Sequence, residues 1–522
     1  MKYILLPPVA ILLYALFTTP VHAEQSRYGK TTFPNSGASE AQASFMEGLL
    51  MLHSFEYADA RKAFKTAREI DGDFAMAYWG EALTHYRVLW NDIQLDKVRA
   101  VLLELGVTPQ QRAAKAPSQR EKDYLHAIEI FLGEGSDSVK ALRYVEAMEN
   151  LSADYPDDEN AAAFYALALL GSSGPDRDYT IYMKSAAVSE AVIANNPLHP
   201  GAVHYLIHAY DDPVHAPLGL RPALTYARIA PAATHALHMP SHIFFPLGMW
   251  DAATQTNIKA YEAGQAWSQR NDKPVNGGGA HALTWLIYSL MQQGKNELAK
   301  NYLVEFQELA TADPTRKGQF SEAWASYLVE SDYVDTDWVN LEFNMNNMPA
   351  RRASMIHFVK AAAAIRAGNI ESAEQHVASL AQLEMQLNDL NWSEKAKDVM
   401  LLELKALLQG ARGNQAEAVR LLSEATSIEY AMPRRFGPPW PPKPSHELLG
   451  ETLAVLGDND GAREQFRLSL TLAKGRSISL LGLARSASAV GLDEEARRAY
   501  ATLGVNWQDA DTNTVPALHV VQ

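Results

Sequence analysis

Residues 48–71, GLLMLHSFEYADARKAFKTAREID, decide the fold. A small residue, Gly48, stands in a first apolar segment, an aromatic stands at the break near Phe55, and Ala60, Phe64 and Ala67 follow at three- and four-residue spacing. That period is the buried stripe of a helix. The stretch therefore reads as two helices joined by a tight turn, with small residues where they approach.

The same pattern returns along the chain. Gly248, Gly294, Gly368, Gly413, Gly457 and Gly491 are each followed five residues later by an alanine: Ala253, Ala299, Ala373, Ala418, Ala462 and Ala496. A turn glycine and a close-packing alanine in fixed register resemble the tetratricopeptide repeat, whose period is about 34 residues. With residues 48–71 this makes seven such turns, and segments 138–155, 160–170 and 179–195 keep helical spacing between them. The expectation is an all-α chain, an α-solenoid winding as a right-handed superhelix of tetratricopeptide-like helix pairs, with little room for strands. We divide it into repeats over 24–197, a histidine-rich centre over 198–310 and further repeats over 311–522. Three stretches interrupt the period: polar, glycine-rich 268–279, with the next helix expected near Ala280; acidic, Asn-rich 330–349; and the proline-aromatic loop 434–444. In a repeat array, insertions cluster on one face, which is often the binding face.

Residues 1–23 read as a secretory signal, with Lys2 before an apolar run and Val21-His22-Ala23 as a cleavage site. The run is shorter than the ~20 residues that span a bilayer. Cysteine is absent, so no disulfide framework supports an exported chain. The expected location is periplasmic or secreted, with no membrane span in the mature chain. The formal charge of −15 becomes −16 once the +1 of Lys2 is removed, which disfavours nucleic acid as a partner.

Two His-x-x-x-His pairs, His204/His208 and His238/His242, lie one such period apart, and Pro197 and Pro231 keep the same offset. They stand at equivalent places in adjacent repeats. In a tetratricopeptide pair, residues ten and six before the turn glycine face the groove, and counting back from Gly248 gives His238 and His242. Asp211 and Asp212 continue the stripe of His204/His208, and His235 lies one turn before His238. Counting from Gly294 makes His281 the equivalent of His235 and puts Tyr288 in the groove. Five of the 16 histidines thus gather on two neighbouring helices, with a sixth on a third.

Imidazoles at i and i+4 can share one metal ion, and carboxylates complete or orient the ligands. Histidine with aspartate and no cysteine points to an open site for a divalent transition metal, zinc, copper or iron, holding one ion or two. The reaction would then be metal-dependent, hydrolytic or oxidative. The alternative is a metal-free adaptor that binds a peptide, protein or small molecule in the groove. Prolines 213, 240 and 246 imply shaped helix ends near the site. Other candidates are weaker. Tyr78, Trp79, Tyr86 and Trp90 form a core or a substrate wall, and Trp79 is kept as a groove residue. Glu447 and Glu451 face the groove by the count from Gly457, as a solvated face or an acid–base pair. His53, His126, His357 and His376 have no partner spacing and read as ordinary helix residues. No phosphate loop, nucleotide motif or haem-attachment motif is present.

The segments around Phe55-Glu56-Tyr57 and Tyr78-Trp79-Gly80, then His204-Tyr-Leu-Ile-His208-Ala-Tyr-Asp211-Asp-Pro213 and His235-Ala-Leu-His238-Met-Pro-Ser-His242-Ile-Phe, resemble a family of exported bacterial tetratricopeptide proteins. The likeness runs through nearly all the mature chain, to Ser479–Arg485. It implies the fold and the export; it implies no activity.

Overall fold

The computed structural model describes residues 27–512, apart from 91, 174–176 and 386–389. The segment 1–23, read as a signal, lies outside the described residues. Antiparallel helix pairs follow one another along the chain, and the only β-structure among the described residues is the two-residue pairing of Tyr86–Arg87 with Asp92–Ile93. The chain is an all-α solenoid. No described helix is long and apolar enough to cross a membrane.

The turn signature is met residue by residue. The six turn glycines all take positive φ, from 66° at Gly294 to 84° at Gly457, the left-handed conformation that ends a helix. The alanine five residues on is buried at every turn, Ala60 included. Close approach explains the other small residues. A Cβ on Gly80 would lie 2.4 Å from the Phe64 ring, and one on Gly482 would lie 2.3 Å from the Phe466 ring. Both distances are far inside van der Waals contact. The repeat register also holds: helices Pro200–Ala209 and Thr234–His238 begin one period apart, as do Ala216–Ile229 and Trp250–Asn271.

The interruptions behave differently from one another. Helix Trp250–Asn271 runs to 22 residues and absorbs the start of the 268–279 insertion, leaving a short turn. The next helix, expected near Ala280, begins at Gly277, because the Asn276 side chain caps it by accepting from the Gly279 N–H at 2.9 Å. The 330–349 stretch holds the one-turn helix Thr336–Val339 but no helix pair, as its composition suggested.

The late repeats fold back onto the central ones. Trp250 Nε1 donates to the Gly475 carbonyl at 2.7 Å, and Lys474 Nζ donates to the Pro213 carbonyl at 3.2 Å. Arg476 is the hub of this junction. It is fully buried, pairs with Glu447 at 2.7 Å and Glu330 at 2.6 Å, and donates to the Tyr288 hydroxyl at 2.8 Å. Lys443 joins from the other side, 2.9 Å from Glu447 and 2.7 Å from Glu451.

Glu447 is therefore not the solvated or acid–base carboxylate expected from its spacing: it is an interior ion-pair residue. Burial opposes its ionisation, but Arg476 and Lys443 outweigh that and hold its carboxyl well below the usual range. Trp79 is corrected as well. Its ring lies between Phe33, Tyr124 and Phe164 in the amino-terminal core, because its helix Ala75–Leu83 is buried along its whole length.

Replacing Arg476 with alanine strips the buried Glu330 carboxylate of its cation and leaves Glu447 with Lys443 alone, which is expected to lower stability by roughly 3–5 kcal/mol. A urea titration of the purified chain at pH 7 checks this; an unchanged midpoint would contradict the junction.

Candidate metal centre

Helix Pro200–Ala209 presents His204 and His208 one turn apart, and their Nε2 atoms lie 3.2 Å from each other. One repeat on, the chain bends at Met239-Pro240 between helices Thr234–His238 and Ser241–Leu247. The i, i+4 geometry survives the bend, with His238 Nε2 3.2 Å from His242 Nε2. The prolines flagged in the sequence shape this break, and Gly248 closes the second helix in the left-handed region.

Each pair gains a third imidazole from the following repeat. His235 brings its Nε2 to 3.0 Å from His204 Nε2, and His281 brings its ring to 4.6 Å from that of His238. Three groups of ligand atoms converge within 4.8 Å: His204/His208/His235, His238/His242/His281 and His208/Asp211/His242. Seven of the eight residues expected at the centre are therefore gathered there.

Asp212 is the exception. Its carboxylate takes the His215 Nδ1–H at 2.8 Å and the backbone N–H groups of Val214 and His215, and it lies 3.6 Å from Arg177. It closes the turn after His208 and faces away from the cluster.

The far side of each ring decides its chemistry. His242 Nδ1 lies 2.5 Å from the Asp211 carboxylate, and His238 Nδ1 lies 2.6 Å from Asn257 Oδ1. The Asn257 amide is oriented by its own donation to the Ala253 carbonyl at 2.8 Å. Both partners can only accept, so both Nδ1 atoms carry a proton, and in the neutral rings both Nε2 atoms present bare lone pairs. His204 is fixed in the same way by the His53 carbonyl at 2.7 Å.

The sequence placed these histidines on an open groove; the structure closes them in. His204 and His238 have no exposed surface and His208 retains 9 %. The reason is two pieces of chain outside the repeats' own register. On one side Phe55 packs edge-on to His204, at 4.3 Å between ring centroids. On the other, the 434–444 loop lays Phe436 against His242 at 5.2 Å, beside Trp285 at 4.5 Å. Burial, reinforced by neighbouring imidazoles, drives the proton affinity of the cluster down: His204 to about 3, and His208, His235 and His238 well below the usual value. His281 falls to about 3 from burial, with His242 and Arg352 adding to it. These rings stay neutral at physiological pH, the form that ligates metals.

Phe55 has a larger part than the turn aromatic its position suggested. Ala60 follows it by five residues, so it occupies the place that glycine fills in the six other turns, and it adopts their left-handed conformation at φ 57°. A phenylalanine there is strained by roughly 1–3 kcal/mol. Its ring covers the cluster and forms part of a cavity of about 540 Å³. That cavity reaches His235 and His281 and is walled by Tyr57 and Trp267, with Arg87, Lys273 and Arg316 around it. Glu56 also lines it; burial raises its carboxyl to about 7, with the His235 N–H opposing the shift.

Sequence spacing could not reveal His53, whose ring is buried between Tyr205 and Asn160 at 3.0 Å each. His357 and His376, read as separate helix residues, meet with their Nδ1 atoms 3.1 Å apart. Tyr288 lies near Asp211 in a smaller cavity beneath Phe436, committed to Arg476.

No family model matches the chain, and no curated protein matches its sequence. Among solved structures the chain is similar to the human IFIT1 dimer, at 13 % identity over 89 % of this chain and 90 % of that one, with a TM-score of 0.38. Yeast Tom70 gives 13 % identity over 87 % and 96 %, with a TM-score of 0.35. Cut9 in the APC/C Cut9–Hcn1 hetero-tetramer gives 12 % over 93 % and 97 %, with a TM-score of 0.29. Likeness at this level concerns helical-repeat architecture and transfers no activity.

The depressed proton affinities set a pH dependence. An unfolded histidine protonates near 6.5, whereas folded His53 does so at about 4 and His204 and His281 at about 3. Between those values the unfolded chain holds more protons, so stability falls as pH falls. Each such group contributes up to about 1.4 kcal/mol per pH unit. Metal-free protein is expected to show a steep drop in its thermal midpoint from pH 7 to pH 5; a flat or rising midpoint would contradict the buried neutral cluster.

Proposed function

We propose that this protein is a metal-dependent enzyme whose His238, His242 and His281 hold a divalent transition ion beside the 540 Å³ cavity. One observation carries this reading. His238 and His242 both have Nδ1 protonated by their outer partners, leaving two lone pairs opposed at 3.2 Å inside the protein. With both rings neutral that arrangement is repulsive, and a cation between them relieves it. Two nitrogens bound tetrahedrally at 2.0–2.1 Å would lie about 3.3 Å apart, close to the 3.2 Å between His238 and His242, and the His281 ligand atom lies within 4.8 Å of both.

The helical-repeat fold is of the kind that builds binding surfaces, and here that surface holds a cavity beside the histidines. The cavity volume lies within the range of small-molecule sites, roughly 300–1,000 Å³. Imidazole ligands and the absence of cysteine favour zinc, copper or iron. Three protein ligands leave a place for water or substrate, which suits hydrolysis at a bound water, or oxidation if the ion is copper or iron. The aromatic walls suit a substrate with an apolar body, and Arg87, Lys273 and Arg316 suit an anionic group on it.

Elemental analysis of tag-free full-length protein tests the reading. Bound transition metal is expected as isolated or after dialysis against zinc, and His238→Ala or His242→Ala should abolish it at this site. Asn257→Ala, which releases the His238 tautomer, should weaken binding about 10–100-fold. Protein that carries no metal and takes up no zinc, copper or iron would refute the proposal.

A further inference from the structure

The histidine cluster is a repeated object, and the repetition extends past the two His-x-x-x-His pairs. His235 precedes the turn glycine Gly248 by the same interval at which His281 precedes Gly294. Each triad therefore has one construction, two imidazoles at i and i+4 and a third from the start of the next repeat's first helix. Resting on the reading above, we infer that the cluster is two metal sites in tandem, the second ion being held by His204, His208 and His235.

Hydrogen bonding within the second triad supports this. The His53 carbonyl pins the proton of His204 on Nδ1, so His204 Nε2 offers a single lone pair. Two other Nε2 atoms approach that nitrogen, His235 at 3.0 Å and His208 at 3.2 Å. One donated proton can use the lone pair; the second imidazole then faces an occupied acceptor. A single cation satisfies all three at once, and the spacings again match the edge of a tetrahedron of nitrogens about 3.3 Å long.

The two sites are neighbours. His208 and His242 lie 5.3 Å apart by ring centroid, and together with Asp211 they bring ligand atoms within 4.8 Å of one another. Asp211, already bonded to His242 Nδ1, is the carboxylate placed between the two triads. The cavity reaches both, because it is lined by His235 of one and His281 of the other. A small oxyanion there, a carboxylate or phosphate group, faces two cations, with Arg316 on the same wall. Paired ions a few ångströms apart clamp the attacking and leaving oxygens of a displacement, which directs the proposal to hydrolysis of an ester or phosphoester.

Zinc stoichiometry decides between one ion and two. Metal-free full-length protein is loaded with zinc, desalted and analysed for metal per chain, together with His204→Ala and His238→Ala, whose folding is checked by circular dichroism. Two equivalents in the wild type and one in each variant are expected. One equivalent in the wild type, lost either in both variants or only in His238→Ala, would overturn the tandem arrangement and leave the single-ion reading standing. Uptake of none of zinc, copper or iron would overturn both readings. Should either variant fail to fold, the wild-type count alone still separates two ions from one, and loading with cobalt gives an independent count from absorption titration.

Discussion

Two imidazole nitrogens held face to face, with their protons pinned on the opposite sides, are the constraint around which this protein is organised. His238 and His242 could relieve their mutual repulsion in the metal-free chain by turning over, but Asn257 and Asp211 anchor the outer nitrogens. They could also take up a proton, but burial forbids it for His238. A cation shared by the two lone pairs is the arrangement we propose. The outer hydrogen bonds therefore matter as much as the ligands, since they fix the tautomer and aim the ring.

The repeat architecture explains how such a site can be built. Neighbouring helix pairs in register place equivalent residues side by side, so one motif used twice produces two clusters in contact. Enclosure comes from elements that break the register. Phe55 takes a left-handed turn position that its six counterparts give to glycine, and its ring covers one side. Phe436 covers the other from the proline-rich loop. The Arg476 junction returns the late repeats to the central turns and holds that loop's neighbourhood in place. A strained turn, an irregular loop and a buried ion-pair hub thus meet where the histidines are.

That division also sets how much the sequence could reveal. Turn glycines and packing alanines are local signals with a fixed offset, so the solenoid and its repeat register were legible, as was the assembly of His204, His208, Asp211, His235, His238, His242 and His281. Enclosure was not. The groove count assumes that a helix face stays open unless its own neighbours cover it, and here the cover comes from residues far away in sequence. For the same reason Glu447 read as solvated, although its partner Arg476 arrives from another repeat. Asp212 shared the stripe of Asp211, yet the turn after His208 rotates it toward His215. Phe55 was the one missed residue with a usable signal, for its alignment with six turn glycines marks a bulky side chain where none is expected.

X-ray absorption at the zinc edge of the loaded, full-length protein tests the central claim most directly. A first shell of nitrogen and oxygen at about 2.0–2.1 Å is expected, with the multiple-scattering signature of about three imidazoles per zinc. A shell of oxygen alone, or one without imidazole scattering, would contradict it.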